Sequence, residues 1–493
     1  MRVAILHYHL RGGGVSRVIS HACRVLADNG HQTVVIAGEP PASEDISLPI
    51  WRTVPGLAYT NADARKGPEN APEALLAELL ATARDALGGD PDLWHIHNHS
   101  LGKNLALPRI VNLMAHRGMR LLLQIHDFSE DGRPDNYRLL MNGLAAGNPD
   151  ALGAVLYPQG DHVHYAVLNC RDHGFLSRSG GIKGQVHLLA NAVDFGPEPP
   201  LSKPSSRTDE AEERLVVYPT RAIRRKNLGE FLLWSVLGGD NTRWAVTLAP
   251  KNPAARPVYE QWVAFAEKHR LPVEFEFGNS SGLQFAELLR RADAAFTTSV
   301  AEGFGLAFLE PWLAGTPLLG RNLPEITAEF TENGVDLSHL YSRLDVPRDW
   351  LPREQLRQKL RDAAENSFHS YGRSLPHDFV DRALDAFVQG GKVDFGRLDE
   401  ELQMQVLERL INSPDARQQL FPAGLPDITG ARCKCFDNRH AVLDQYSIEK
   451  FGERLLRVYG KVAKSPHRPQ PPLNAQELLT EFLAPERFCL LRT

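Results

Sequence analysis

No stretch of this chain approaches the ~20 consecutive apolar residues that a bilayer span needs, so a membrane-spanning helix is excluded on length alone. Basic residues give no excess: 55 Lys and Arg stand against 60 Asp and Glu, a formal charge of −5. That balance speaks against a nucleic-acid binder, which normally carries a basic surplus, and against docking on an anionic membrane. Cysteine is scarce. Five, odd in number and scattered, make no disulfide framework and point to the reducing cytoplasm. The start, Met1 to Leu6, is too short for a secretory signal and runs into His7-Tyr8-His9, so it is expected to be a first strand. Metal signatures are also thin. No H-E-x-x-H occurs, and Cys433-Lys434-Cys435 with His440 is at best half a zinc site at poor spacing.

What remains is a globular composition, 43% hydrophobic and 23% charged, on 493 residues. One core cannot serve that length, and two α/β domains of roughly 200 residues each are the natural division. The first opens as strand Val3–Leu6, a loop ending in Gly12-Gly13-Gly14, helix Val15–Leu26 and strand Thr33–Ala37. This is a Rossmann-like start, although the triple glycine lacks the G-x-G-x-x-G spacing of a dinucleotide site. Strands at Leu93–His97 and Leu121–Ile125 follow, both with histidine-rich tips: His95-Ile96-His97-Asn98-His99 and His126-Asp127. Ligands of open α/β sheets sit outside the carboxyl ends of strands, so His7, His9, His97, His99 and His126 are expected on one rim. Strand-end packing, substrate contact and metal binding are all open to such a rim, metal least because no carboxylate partner accompanies it. Asp90-Pro91-Asp92 precedes its strand and suits a turn better than a metal. Arg11, Lys103 and Arg133 lie in loops where they either read an anionic group or are solvated surface. A short strand is expected near Val155.

Past a Pro/Ser/Glu-rich linker, Pro197–Glu213, strand Leu215–Tyr218 leads into Arg221 and, five residues on, Lys226. A planar fork plus a point charge is a diphosphate clamp in physical terms, and a solvated basic turn is the alternative. Strands and helices alternate through Trp244–Leu248, Val258–Lys268, Pro272–Phe277 and Phe285–Arg291, with Gly278-Asn279-Ser280 at a strand end. Strand Ala294–Thr298 then enters Ser299 to Gly320. There Gly303 and Gly305 open the backbone, Leu306, Leu309 and Leu313 recur at helical spacing, and Gly315 with Pro317 stops the helix. A strand, glycine turn and helix N-terminus make an anion site. Glu302 and Glu310 frame it, about 12 Å apart if the intervening residues are helical.

The run Glu302, Gly303, Phe304, Gly305, Leu306, Leu309, Glu310, Ala314, Gly315 and Pro317 resembles the E-x7-E motif of the retaining glycosyltransferases of family 4, the group of sucrose, trehalose and mannosyl transferases. Arg221 to Lys226 resembles that family's G-R-x-x-x-x-K pattern, with Thr220 in place of glycine or serine, and Asn191-Ala192-Val193-Asp194 its N-G-V-D turn. The resemblance implies an α/β GT-B fold of two Rossmann-like domains facing across a cleft. Beyond Pro324-Glu325-Ile326 the chain departs from the family's pattern, and roughly Asp336–Arg439 is expected to be a helical insertion in the second domain. Expected boundaries are 1–195 for the acceptor-side domain, 196–445 for the nucleotide-sugar domain with its insertion at about 336–439, and 446–493 for a closing helix and tail.

It also implies roles. Arg221 and Lys226 hold the departing diphosphate with the backbone of Gly303, Phe304, Gly305 and Leu306, and the glycine loop at Gly13 and Gly14 approaches it. Glu310 binds ribose hydroxyls, Glu302 grips the donor sugar, and His126 meets the transferred sugar. Apart from the resemblance, the rim and loop positions of His97, His99, Lys103 and Arg133 make them the candidates for the acceptor side. No metal or other cofactor is implied. The activity expected is metal-independent, retaining transfer of a hexose from a UDP-, GDP- or ADP-sugar to a small soluble hydroxyl acceptor, a sugar or sugar acid. A phosphorylase of the same fold, a metal-dependent hydrolase on the histidine rim and a non-catalytic sugar-nucleotide binder are the alternatives. Partners are small molecules only.

Overall fold

Alternation within the first strand organises the N-terminal half. In β1 (Arg2–His7), Ala4 and Leu6 join one buried cluster while Val3 and Ile5 join another, because successive side chains leave opposite faces of a sheet. A computed structural model describes residues 1–41, 48, 50–60, 72–195, 213–238, 241–420 and 426–492. The expected linker at Pro197–Glu213 lies, apart from Glu213, outside the described residues. The chain packs as two units. The first comprises Met1–Ala192, Ser370–Arg373 and Tyr446–Leu483, and the second Val193–His369, Ser374–Gln445 and 484–493.

In the first unit, β1 is joined by β2 (Gln32–Ala37), β3 (Trp51–Thr53), β4 (Leu93–His97), β5 (Leu121–Ile125), β6 (Gln159–Gly160), β7 (Val163–Val167) and β8 (Val186–Leu188). The order β3-β2-β1-β4-β5-β7-β8 is parallel throughout, the Rossmann order with its switch point between β1 and β4. One sheet face carries helix Gly14–Asp28 and, from the far end of the chain, helix Ile448–Lys464. Phe451, Leu455, Val458, Tyr459 and Val462 of the latter are buried against Val3, Ile5, Val25 and Leu122. Helices Pro72–Leu87, Ala106–His116, Pro134–Ala145 and Ala475–Phe482 contribute to the other cluster.

Val155 is not in a strand. It belongs to helix Pro149–Leu156, which Asn148 caps by accepting from the amides of Asp150 and Ala151, with Pro149 preset for the first turn.

The second unit repeats the topology with β9 (Arg214–Arg221), β10 (Thr242–Leu248), β11 (Val273–Glu274), β12 (Ala294–Thr297) and β13 (Leu318–Gly320). These run parallel in the order β11-β10-β9-β12-β13, with the switch point between β9 and β12. β11 stops earlier than its apolar pattern suggests. Glu276 turns left-handed at φ 56°, and Phe277–Ser280, including Gly278-Asn279-Ser280, forms a helical turn instead of a strand end.

The inserted stretch is helical at Arg353–Ser370, Phe379–Phe387 and Glu400–Asn412. It also builds a small antiparallel sheet from β14 (Asp345–Pro347), β15 (Val388–Gln389) and β16 (Lys392–Asp394), and β17 (Pro469–Gln470) later edges the first sheet against β6. None of the described helices is long and apolar enough to cross a membrane.

Candidate active site

At the second unit's switch point, two loops leave the carboxyl ends of adjoining strands. After β9, Arg224–Lys226 winds one 3-10 turn and Asn227 reverses the chain at φ 54°. After β12, residues 298–305 pass directly beside it. The Val300 amide donates to the Arg225 carbonyl at 3.0 Å, and Thr298 Oγ1 donates to the carbonyls of Lys226 and Asn227, 3.0 Å from each. Tyr218 Oη, from within β9, donates to the Lys226 carbonyl at 2.7 Å.

This bracing brings Lys226 Nζ onto Glu302 Oε1 as a direct ion pair between two mostly buried side chains. Burial alone would push the Glu302 carboxyl upward. The charges of Lys226 and Arg225, with hydrogen bonds from Lys226 and Ser299, outweigh it and hold the group below the ordinary carboxylate range.

The four cations of the loop divide their work. Arg224 is committed to Glu400, with Nε and Nη2 at 2.7 and 2.9 Å from its two oxygens. Arg225 has a buried Nε with no hydrogen-bond partner among the described residues. Arg221, the last residue of β9, is exposed, and its guanidinium has no ion-pair partner among the described residues.

The turn that follows Glu302 differs from expectation. Leu306–Phe308 is a 3-10 turn and the α-helix is only Glu310–Ala314. The spacing from Glu302 to Glu310 is therefore not eight helical residues, and few peptide dipoles are aligned to hold an anion. Holding an anion here falls chiefly to the cations. Gly305 is needed for the turn itself, since φ is +97° and a Cβ would stand 3.0 Å from Phe308. The Phe304 ring is buried edge-on against Phe330, so any contact this residue makes with a ligand is through its backbone.

At the first unit's switch point, His7 ends β1 and His97 ends β4. His97 Nδ1 lies 2.9 Å from His126 Nε2 with the rings stacked, and the His7 ring packs edge-on to His97. Burial depresses His126 to about 3, with the charge of His95 adding to it. His7 is lowered to about 3 by burial first and then by His9 and His126. The rim is thus an array of neutral imidazoles at neutral pH. His126 Nδ1 has no hydrogen-bond partner among the described residues, so it is the ring nitrogen left for a ligand.

Asn98 sets this geometry, a residue whose role the histidines around it obscure. It is left-handed at φ 55°, and its Oδ1 accepts from the amides of His126 and Asp127 at 2.7 and 3.1 Å. The same reversal removes His99 from the rim. His99 is fully buried, with Nε2 on the Leu156 carbonyl at 2.7 Å, so it is a core histidine and not an acceptor contact.

Arg133 likewise turns inward, pairing with Asp127 and donating to the Phe128 and Asp131 carbonyls at 3.2 and 3.1 Å. It organises the loop after His126 and does not offer a free charge to an acceptor. Arg11 is spent on Glu39. Lys103 stays partly exposed, its Nζ 5.8 Å from the Tyr59 ring centre, and Tyr59 Oη bonds His9 at 3.1 Å. Gly13 and Gly14 are exposed with open space around them. A groove of about 670 Å³ is lined by Thr60, Asn104, Arg109, Asp135, Asn136, Arg138 and Asn142 among others, and Lys103 is not part of that lining.

Residues 12–166 match the family model described as Glycosyltransferase Family 4. Mannosylglucosyl-3-phosphoglycerate synthase of Petrotoga mobilis is 27% identical over 347 residues. That match spans 65% of this chain and 65% of that protein, just short of two thirds of its length. Among solved structures, sucrose-phosphate synthase of Thermosynechococcus elongatus superposes with a TM-score of 0.51 at 13% identity, covering 93% of this chain and 98% of that one. Anabaena HepE, solved in complex with UDP and glucose, gives 0.52 at 12% identity, covering 93% and 99%. At such identities the structures share the fold.

Proposed function

We propose that this chain, whose residues 12–166 match the Glycosyltransferase Family 4 model and whose fold is that of GT-B structures, is a glycosyltransferase of that type, moving a hexose from a nucleotide-diphosphate sugar to a small anionic hydroxyl acceptor with retention at the anomeric carbon. The observation that carries this is the β9/β12 switch point, where Lys226 closes on an ionised Glu302 under the added charge of Arg225, in the loop that Arg221 opens at the end of β9.

Bond cleavage at the anomeric carbon leaves charge on the departing diphosphate, and preorganised cations lower that barrier most where water is excluded. Arg221 and Lys226 neutralise it, with the Arg225 guanidinium alongside. Glu302, kept as an acceptor, grips a hydroxyl of the donor sugar, and Glu310 the ribose hydroxyls. Within the second unit's loop no further carboxylate is placed to attack the anomeric carbon. We therefore assign a front-face reaction: the acceptor oxygen bonds that carbon on the side the phosphate leaves, and its proton passes to the leaving phosphate oxygen. No metal ion is required. His126, neutral, offers Nδ1 to a sugar hydroxyl, while His97 orients its ring.

An anionic acceptor is supported by the relative's name, a synthase of a 3-phosphoglycerate glycoside, and by two arginines in the groove wall, Arg109 and Arg138, against one carboxylate, Asp135. The test is a thermal-shift screen of UDP-, GDP- and ADP-sugars, then product analysis with the donor that binds. Arg221→Ala should lower kcat/KM by about a hundredfold or more with the melting temperature retained and no response to chelators. Near-normal turnover of that variant would remove the clamp.

A further inference from the structure

A four-residue stretch of the insertion, Ser370–Arg373, packs with the first unit although the chain on either side of it belongs to the second. Tyr371 is its anchor, 3% exposed within the first unit's larger apolar cluster and 5.2 Å ring to ring from Tyr137. Its hydroxyl meets the loop that begins at His126. Oη accepts from the Arg133 amide at 2.9 Å and lies 3.1 and 3.3 Å from the Glu130 and Ser129 carbonyls, to which its one proton is offered. Arg373 secures the stretch elsewhere, Nη2 donating to the Gln476 carbonyl at 2.9 Å. The loop is thus held at one end by Asn98 and at the other by Tyr371, with the Asp127–Arg133 pair closing it between.

We propose that Tyr371 is a positioning residue for the acceptor-side loop 127–133, so that the insertion specifies acceptor geometry as well as adding mass to the second unit. Packing does not demand the hydroxyl, since phenylalanine would fill the same volume. Burying a hydroxyl without partners is costly, so its place among loop main-chain groups ties the loop to one conformation. What the loop binds rests on the transferase reading; that Tyr371 holds it does not.

The experiment is Tyr371→Phe in the full chain, with two readouts. Hydrogen exchange at residues 127–133 should accelerate about tenfold while Leu121–Ile125 stays protected. The acceptor KM should rise about tenfold with donor KM and nucleoside-diphosphate affinity unchanged. Arg373→Ala, which keeps the hydroxyl, should leave acceptor KM within about twofold. Unaltered loop exchange, an acceptor KM that does not move, parallel losses for donor and acceptor, or an equal defect in Arg373→Ala would each overturn the assignment. A wild-type protein that transfers no sugar overturns the transferase reading instead, and the exchange readout then decides Tyr371 alone.

Discussion

Lys226 and Glu302 are 76 residues apart in sequence and one ion pair in space. A basic turn and a glutamate in a glycine turn are each legible from the chain, but their contact is not. It depends on β9 lying next to β12, a crossover that no local periodicity encodes. Arg225 escapes a reading of the chain for the same reason: Arg224 and Lys226 on either side are also basic and likewise half-buried, and only its Nε, buried with no hydrogen-bond partner among the described residues, separates it from them. The pair is testable directly. Lys226→Met leaves Glu302 without its nearest cation and should destabilise by about 1–3 kcal/mol. Adding Glu302→Gln should return part of that, because the uncompensated charge is gone. Denaturant unfolding of the four proteins in the cycle would show a coupling above about 0.5 kcal/mol, whereas additivity within about 0.3 would mean that the two side chains do not interact in solution.

Strand ends, more than strands, decide the histidine rim. Period-two alternation places His95, His97 and His99 on one face, and this holds only while the strand lasts. β4 ends at His97, and Asn98 at φ 55° sends His99 into the core. The stop is legible in retrospect, since asparagine is among the few side chains that accept the left-handed region. The apolar runs of both Rossmann sheets are plain in the sequence because buried parallel strands are nearly continuous in hydrophobicity. The helix after Glu302 is not, because leucine spacing cannot distinguish a 3-10 turn from an α-helix. The buried histidines carry a pH consequence. His99 is depressed to about 4, chiefly by burial. Below pH 6.5 the unfolded chain takes up a proton that the folded site refuses, so its contribution to stability is present above 6.5 and lost as pH falls toward 4. Glu130, Asp172 and Glu230, raised chiefly by burial, act with the opposite sign above their ordinary values, so the total slope mixes both. The comparison that isolates His99 is wild type against His99→Asn. Their stability difference should shrink by up to about 1.4 kcal/mol per pH unit between 6.5 and 4. A difference constant across that range would show that His99 is not buried neutral.

Across the whole molecule, the insertion is structural to the site, whereas its composition suggested only extra helices. Glu400 takes Arg224 and Gln403 Nε2 donates to Asn227 Oδ1 at 2.8 Å, so helix Glu400–Asn412 braces the clamp loop from behind. Arg321 fastens the insertion's sheet to the Rossmann body. Its Nη2 stands 2.7 Å from both Glu230 and Asp394, all three side chains almost wholly buried, and Tyr341 Oη donates to Glu230 at 2.8 Å. Removing Arg321 would leave two carboxylates in an apolar interior with only Arg397 Nε, 3.8 Å from Asp394, as a nearby cation among the described residues, so most of their desolvation goes uncompensated. Arg321→Met is therefore expected to destabilise the second unit by about 3–5 kcal/mol. Neutralising the acids as well, with Glu230→Gln and Asp394→Asn, should recover at least half. The side-chain amide oxygen introduced by the second change can still accept from the Gly396 and Leu344 amides that Asp394 now serves. Hydrogen exchange resolves where the loss falls. β9, β10 and β12 should lose protection in Arg321→Met while β1 and β4 keep theirs, and the triple variant should restore it. Equal loss in both sheets, or no recovery on neutralisation, would show that the triad is not what secures the insertion to its own unit.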